Sequence, residues 1–411
     1  MMLALQFAGA IAILIPFAMY QRGRWSQHGR AYLWLNLAGA ATLTALAVLD
    51  RQWGFVLVQG VWALAAGWGL LRGPAPSREL RRPIPWSWAE QPREDGGMAE
   101  IPVLEPPHLE PTARTLHGWF DRDLEPVLTV DPGTTVRFRT LDSGWSAGPW
   151  TGERRRVPEW REGCAHALTG PVEIRGARPG MVLEVRIDAV VPGSWGTTYA
   201  GVRSTAWNAR LGIDAPAVHA WEIDATAGTA RNQHGHTVAV RPFLGVIGMP
   251  PPEPGRHSTV PPYWHGGNLD CRELVAGSTL YLPVPVEGAL FSVGDGHAAQ
   301  GDGEVSGTAI ECPVERADLT LDVQPDLLGR PLTTPVADTP AGWVAMGLGD
   351  DLDEAAAEAL GAMLDLLGAL HGLGRSEAMA LASVVVSLRV TQVANQVFGV
   401  HALLPRDAVR V

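Results

Sequence analysis

The chain has 411 residues, 46% of them hydrophobic and 18% charged, with a formal net charge of −11. No basic stripe alternates with aromatics, which argues against a nucleic-acid partner. Three cysteines with no CxxC pair argue against a disulfide framework and for a reducing compartment.

The first stretch differs from the rest. Residues 3–20, 31–49 and 53–71 form three runs without a charge, each near the length that crosses a hydrocarbon core of about 30 Å. No charged segment precedes Leu3 and no small-x-small cleavage site follows, so a signal peptide does not account for them. Arg22, Arg24 and Arg30 follow the first run, and Arg72, Arg78, Arg81 and Arg82 follow the third. The positive-inside tendency then puts the N-terminus outside and everything after residue 72 in the cytoplasm. Trp25, Trp34, Trp53 and Trp68 stand near the span ends, as an interfacial belt requires. The expectation is a multi-pass inner-membrane domain over 1–72, which resembles a family of small three-helix bacterial membrane domains. Residues 73–111 are a linker, crowded with proline and glycine.

From residue 112 the pattern is β. The glycine and proline content, 47 and 33 residues, suits a turn-rich body. Segments 128–140, 172–187 and 273–284 share one plan of strand, Gly-containing turn and strand. Alternation in TVRFRT and VLEVRI marks one buried and one wet face. Residues 242–264 are proline-rich and show no strand or helix period, which predicts a long loop at a site wall. The end turns helical. Residues 350–370 carry apolar side chains at helical spacing, acids in the first turn and Gly372 as a stop. Ser376 is the expected N-cap of a second helix reaching about Val397. The predicted class is β-dominated α+β: an all-β two-layer or barrel-like body with C-terminal helices, behind a three-helix transmembrane segment.

Chemistry concentrates between His265 and Glu304. One cluster is His265, Asn268 and Asp270; the other is Asp295, His297, Asp302 and Glu304, with glycines between. The runs 279–286 and 289–293 between them look like buried strands. Imidazole and carboxylate donors at two strand ends fit a divalent cation, zinc first and calcium second. His265, Asp270, Asp295 and Asp302 are the candidate ligands. His297 and Glu304 are the candidate catalytic pair, with Glu304 as general base, and Asn268 would orient the substrate. Asp295 and His297 lie two apart and share a face if extended, as do Asp302 and Glu304. A bland alternative makes the Asp-Gly pairs turn caps. Cys271 beside His265, or Cys164 with His166, would be a thiolate nucleophile in a rival design. His234-Gly-His236 is a metal-like spacing or a plain turn. His117 and Asp121 are candidate substrate-binding residues in the site wall, with Trp145 or Trp195 as further wall positions.

Residues 112–405 resemble the acetamidase/formamidase family. The pieces that carry the resemblance are DPGTTVRF, LTGPVEIRGARPGMVLEV, GVIGMPP, HGGNLD, GDGHAAQGDGE, GTAIE and LRVTQVANQVFGVHALLP. The resemblance implies a β-dominated fold, homo-oligomers, and hydrolysis of short aliphatic amides to a carboxylate and ammonia. The expected enzyme is membrane-tethered and acts through metal-activated water. The alternative from another class is a non-catalytic, metal-dependent small-ligand sensor anchored to the membrane.

Overall fold

The computed structural model describes residues 34–35, 37–38, 40, 42–44, 105–202 and 206–410. The chain divides into two units, Met1–Ile101 and Pro102–Val411. Apart from a few helical positions between Trp34 and Thr44, the three predicted spans and most of the predicted linker lie outside the described residues. Among the described residues no single helix is long and apolar enough to cross a membrane.

The second unit is built from two large sheets. The first has nine strands, in spatial order His108–Leu109, Thr134–Thr140, Val314–Gln324, Val182–Pro192, Thr279–Pro283, Val336–Thr339, Gly342–Gly349, Phe398–Pro405 and Ser387–Gln392. The second has twelve. Its centre runs Trp195–Ala200, Glu311–Cys312, Phe291–His297, Phe243–Gly248, Gly266–Asn268, Pro262–Tyr263, with Leu168–Ile174 also paired to Phe291–His297. The main core contains inward residues of both sheets, among them Val136, Phe138, Val185, Ile187, Ile247, Phe291 and Leu319. Phe138 and Phe291 meet edge to face with centroids 6.2 Å apart. This is the expected β-dominated, two-layer body.

Three expectations change in detail. The shared strand–turn–strand plan does not make hairpins. Leu128–Val130 and Leu168–Ile174 lie in the second sheet, whereas Thr134–Thr140 and Val182–Pro192 lie in the first, so these turns are corners between layers. Gly133 sits at φ 81° in the first corner and Gly176 at φ 78° in the second, where a side chain would be strained. Segment 273–284 holds one strand, Thr279–Pro283. The linker stops earlier than residue 111, because His108–Leu109 pairs in parallel with Arg137 and Phe138.

The two C-terminal helices, Leu352–His371 and Arg375–Val385, cover the outer end of the first sheet. Helix α1, Ala206–Leu211, is a single short element. Helix α2, Leu352–His371, starts at Asp351, whose carboxylate accepts from the Glu354 amide at 2.8 Å. It ends at Gly372 in the left-handed region, as expected. Its buried stripe, Ala355, Ala359, Met363 and Leu367, packs with Ala345, Val400 and Ala402 of the sheet. Helix α3, Arg375–Val385, is capped by Gly374 rather than Ser376 and stops twelve residues short of the predicted end. Residues 387–392 are instead the edge strand, hairpinned to Phe398–Pro405. Pairing with a formed strand overrides the helical pattern there. The expected loop 242–264 opens with strand Phe243–Gly248, every residue of which is buried. A strand buried on both faces shows no alternation, so its sequence carries no period.

Candidate functional site

Three adjacent strands of the second sheet set the site. Phe243–Gly248 is central. Phe291–His297 pairs on one side of it and Gly266–Asn268 on the other. Asp295 and His297 stand two apart on one strand and meet, with His297 Nε2 3.3 Å from Asp295 Oδ1. His297 is paired across the sheet with Glu311, and Glu311 Oε1 is also 3.3 Å from Nε2. Just past the third strand, Asp270 brings Oδ1 to 3.9 Å from His297 Nδ1. The amides of Leu269 and Asp270 both donate to the Gly245 carbonyl, at 2.9 and 3.3 Å. Glu304 arrives from a loop tied to the edge strand through Gly303, whose amide donates to Thr391 O at 3.1 Å. Asp270, His297 and Glu304 form one group whose ligand atoms lie within 4.8 Å of one another, and Asp295, His297 and Glu311 form another.

A glycine in the central strand makes room for these side chains. A Cβ on Gly245 would stand 2.6 Å from Asp295 Oδ2, 2.7 Å from Asp270 Oδ1 and 2.8 Å from His297 Cε1. Gly294 and Gly296 alternate with the two functional residues for a different reason. A Cβ on Gly294 would collide with Ala167 O (2.3 Å), and one on Gly296 with Val314 Cγ2 (2.4 Å) and Cys312 O (2.6 Å). The motif GDGH thus turns its polar pair to one face and lets backbone pack tightly on the other.

Four carboxylates around one imidazole, all buried, form a charge cluster that burial strongly disfavours. Burial pushes Asp270 up to about 7, with the charges of Asp295 and Glu311 adding to it against His297. Glu304 is driven well above the usual carboxylate range by burial and then by Asp270. Burial works against a charged His297, but Glu311 and Asp295 outweigh it and hold the imidazole well above its ordinary value. Asp295 is the reverse: burial would raise it, yet the His297 charge keeps it low. Asp270 Oδ1, Asp295 Oδ1 and both His297 nitrogens have no hydrogen-bond partner. Buried orphan donor atoms gathered around one imidazole in two groups, with Gly245 beside them, fit a divalent cation. Imidazole with carboxylates suits zinc and its first-row neighbours more than calcium, which favours six to eight oxygens.

Supporting contacts hold the acids. Asn395 Nδ2 donates to Asp270 Oδ2 at 3.0 Å, and Gln300 Nε2 donates to Asp270 O at 2.7 Å. Ser143 Oγ and the Ala309 amide each donate to Glu311 at 2.8 Å. Glu311, Asn395 and Gly245 lie in the family-like pieces GTAIE, LRVTQVANQVFGVHALLP and GVIGMPP, but nothing local marks them as site residues; strand pairing and a hairpin turn deliver them.

The other sequence candidates sit elsewhere. Asp302 does not share a face with Glu304, because residues 301–304 turn; Glu304 has φ 43°, and Asp302 faces Arg272 and Arg389 at 3.9 Å. His265 is buried outside both groups, stacked on Tyr263 and edge-on to Trp264. Burial lowers it to about 4. Asn268 donates to Val260 O at 2.9 Å and keeps its buried Oδ1 without a partner. His117 contacts Trp119 O and Ser292 Oγ, and Asp121 caps the Asp123 amide. Cys271 turns to Glu273 rather than His265, and burial pushes its thiol up, against a thiolate nucleophile. His234 and His236 flank an exposed turn, while Trp145 is buried with its indole bonded to Ala165 O.

The Acetamidase/Formamidase family profile matches residues 106–256 and 253–407. The chain belongs to this family. The matched range contains every residue of the two His297 groups. The chain is 26% identical over 245 residues to the formamidase of Methylophilus methylotrophus, covering 46% of this chain and 60% of that one. It is 26% identical over 253 residues to the acetamidase of Mycolicibacterium smegmatis, covering 46% and 61%. The chain thus spans about 60% of the length of the curated relatives it matches. The crystal structure of an acetamidase from Bacillus halodurans is similar at TM-score 0.64 and 28% identity, over 72% of this chain and 97% of that one. A second family profile matches residues 3–76.

Proposed function

We propose that this family member hydrolyses short aliphatic amides of the formamide and acetamide kind to a carboxylate and ammonia. The observation that carries the reading is the buried cluster of Asp270, Asp295, His297, Glu304 and Glu311 inside the family-matched body. Amide cleavage needs an activated nucleophile, stabilisation of the carbonyl oxygen and a proton for the leaving nitrogen. A divalent cation held by His297 with Asp295 and Glu311 would supply Lewis-acid polarisation and acidify water. The residues do the rest. Glu304 and Asp270 share protons in a dry site: a carboxylate takes one from the attacking water as the C–O bond forms. The same pair returns it to nitrogen as the C–N bond breaks, releasing ammonia. The partnerless Asn268 Oδ1 accepts from a substrate amide N–H. His117 and Asp121 belong to the access side.

The same proposal includes a membrane tether through residues 3–71, with the N-terminus outside and the amidase body cytoplasmic, and self-association of the body. The uncharged runs and the arginine-rich flanks support the tether. The test is ammonia release from a panel of short amides by metal-loaded and chelator-treated protein, with His297→Ala alongside. Turnover lost on chelation and in the variant is expected. No turnover on any amide by metal-loaded protein would overturn the hydrolase and leave a ligand sensor. Turnover that survives chelation would overturn the cation's part.

A further inference from the structure

The segment after Asp270 turns a different set of donors the other way. Cys271 Sγ lies 3.9 Å from Glu273 Oε2, and His401 Nε2 lies 3.4 Å from the same oxygen. All three side chains are buried. His401 comes from the other sheet, on strand Phe398–Pro405, and its Nδ1 is 2.9 Å from Thr391 Oγ1. That contact orients the ring and leaves Nε2 aimed at the carboxylate. Nε2 has no hydrogen-bond partner, a state that burial disfavours. Glu273 spends its other oxygen on Arg389, at 3.1 Å, so Oε2 is left for Cys271 and His401.

Sulfur, oxygen and nitrogen here lie within 4.8 Å of one another. A tetrahedral zinc, with bonds of about 2.0–2.3 Å, separates its ligand atoms by roughly 3.3–3.8 Å. The observed edges of 3.4 and 3.9 Å lie within that spacing and about 0.1 Å above it. No residue is shared with the His297 groups, which contain no sulfur. A thiolate, Glu273 and nearby Asp302 would set three negative charges against the ion, Arg389 and Arg272.

We propose that Cys271, Glu273 and His401 form a second metal site, selective for zinc, that fastens the Asp270–Glu273 segment to the C-terminal strand. A soft sulfur ligand selects zinc over magnesium or calcium. Three protein ligands leave the fourth position to water. The site stands one residue from Asp270, so its metal would brace the hydrolytic cluster without touching substrate. The proposal is independent of the amide reading, because it concerns metal content alone.

The test uses the full-length chain, stripped of metal and reloaded with cobalt(II) alone. A near-ultraviolet thiolate-to-cobalt charge-transfer band is expected, which oxygen and imidazole ligands cannot give. Cys271→Ser should abolish the band, Cys164→Ser and Cys312→Ser should retain it, and added zinc should bleach it. His401→Gln should lower bound zinc by one equivalent per chain. Absence of the band in the wild-type chain, or its survival in Cys271→Ser, overturns the proposal. If Cys271→Ser fails to fold, the wild-type band and its persistence in the other two cysteine variants still assign the ligand by elimination.

Discussion

Gly245→Ala is the most direct probe of the cluster, because it adds one methyl group and no charge. Gly245 has an ordinary backbone conformation and lies mid-strand, so alanine brings no backbone strain. What it meets is space. The new Cβ would stand 2.6 Å from Asp295 Oδ2, 2.7 Å from Asp270 Oδ1 and 2.8 Å from His297 Cε1, against an ordinary contact of at least 3.4 Å. Each group must retreat by roughly 0.6–0.8 Å to restore contact distance. Close packing offers little room, and overfilling a core of this kind costs about 1–3 kcal/mol. For a body of this size that is a fall in Tm of several degrees, at roughly 2–4 °C per kcal/mol. The larger effect is on rate, since displacing reacting groups by about 1 Å costs on the order of 100-fold. Ammonia release, metal content and a thermal melt on the same preparation separate the two effects. Gly301→Ala is the control, because its Cβ would meet nothing within 4 Å. A Gly245→Ala enzyme within threefold of wild type would refute the placement of the cluster.

Other outcomes follow from the same geometry. Glu304→Gln should fold normally and lose about 100-fold or more in kcat, the usual weight of a positioned proton carrier; an active variant would remove Glu304 from the chemistry. Burial holds the His265 imidazole down from 6.5 to about 4, so the unfolded chain binds a proton between those values that the folded chain does not. Stability is therefore full above pH 6.5 and falls as pH drops toward 4, by at most roughly 3 kcal/mol from this group. Urea unfolding of wild type and His265→Phe at neutral and acid pH checks this, and identical pH dependence in the two would contradict it. Asp351→Ala removes the cap of α2 and should cost about 1 kcal/mol with ammonia release unchanged. An unaltered melt would mean that water replaces the cap.

The parts legible in the sequence are those set by local rules. Asp295 and His297 could be placed together because both lie in one strand, where alternation fixes the face. Helix α2 was legible from its spacing, its acidic start and Gly372. The same alternation failed for Asp302 and Glu304, because a turn with φ 43° at Glu304 sends one outward and one inward. Residues 386–397 contain no glycine or proline to stop a helix, so their strand and turn exist only through pairing with Phe398–Pro405. Glu311 and Asn395 were illegible for a related reason. Each reaches the site through a partner distant in sequence: His297 across a strand pair, and Asp270 across the hairpin turn.

The backbone at the site departs from what its sequence would choose. Among the described residues, eight that are not glycine have positive φ, and three of them are Asp270, Asp295 and Glu304. Each such conformation costs of order 1–3 kcal/mol and persists only where the surroundings impose it. Here the imposing contacts are visible: Gly245 O receives the Leu269 and Asp270 amides, and Gly303 is tied to Thr391 and Val393. The strain has a consequence for charge. Strand alternation carries Asp295 to the face of His297, and the left-handed conformations at Asp270 and Glu304 bring these two acids to the same dry place. The fold therefore opposes both backbone preference and carboxylate repulsion at one place. Packing alone stabilises neither, so the arrangement is consistent with a cation that offsets the repulsion and with a reaction that uses the protons held there.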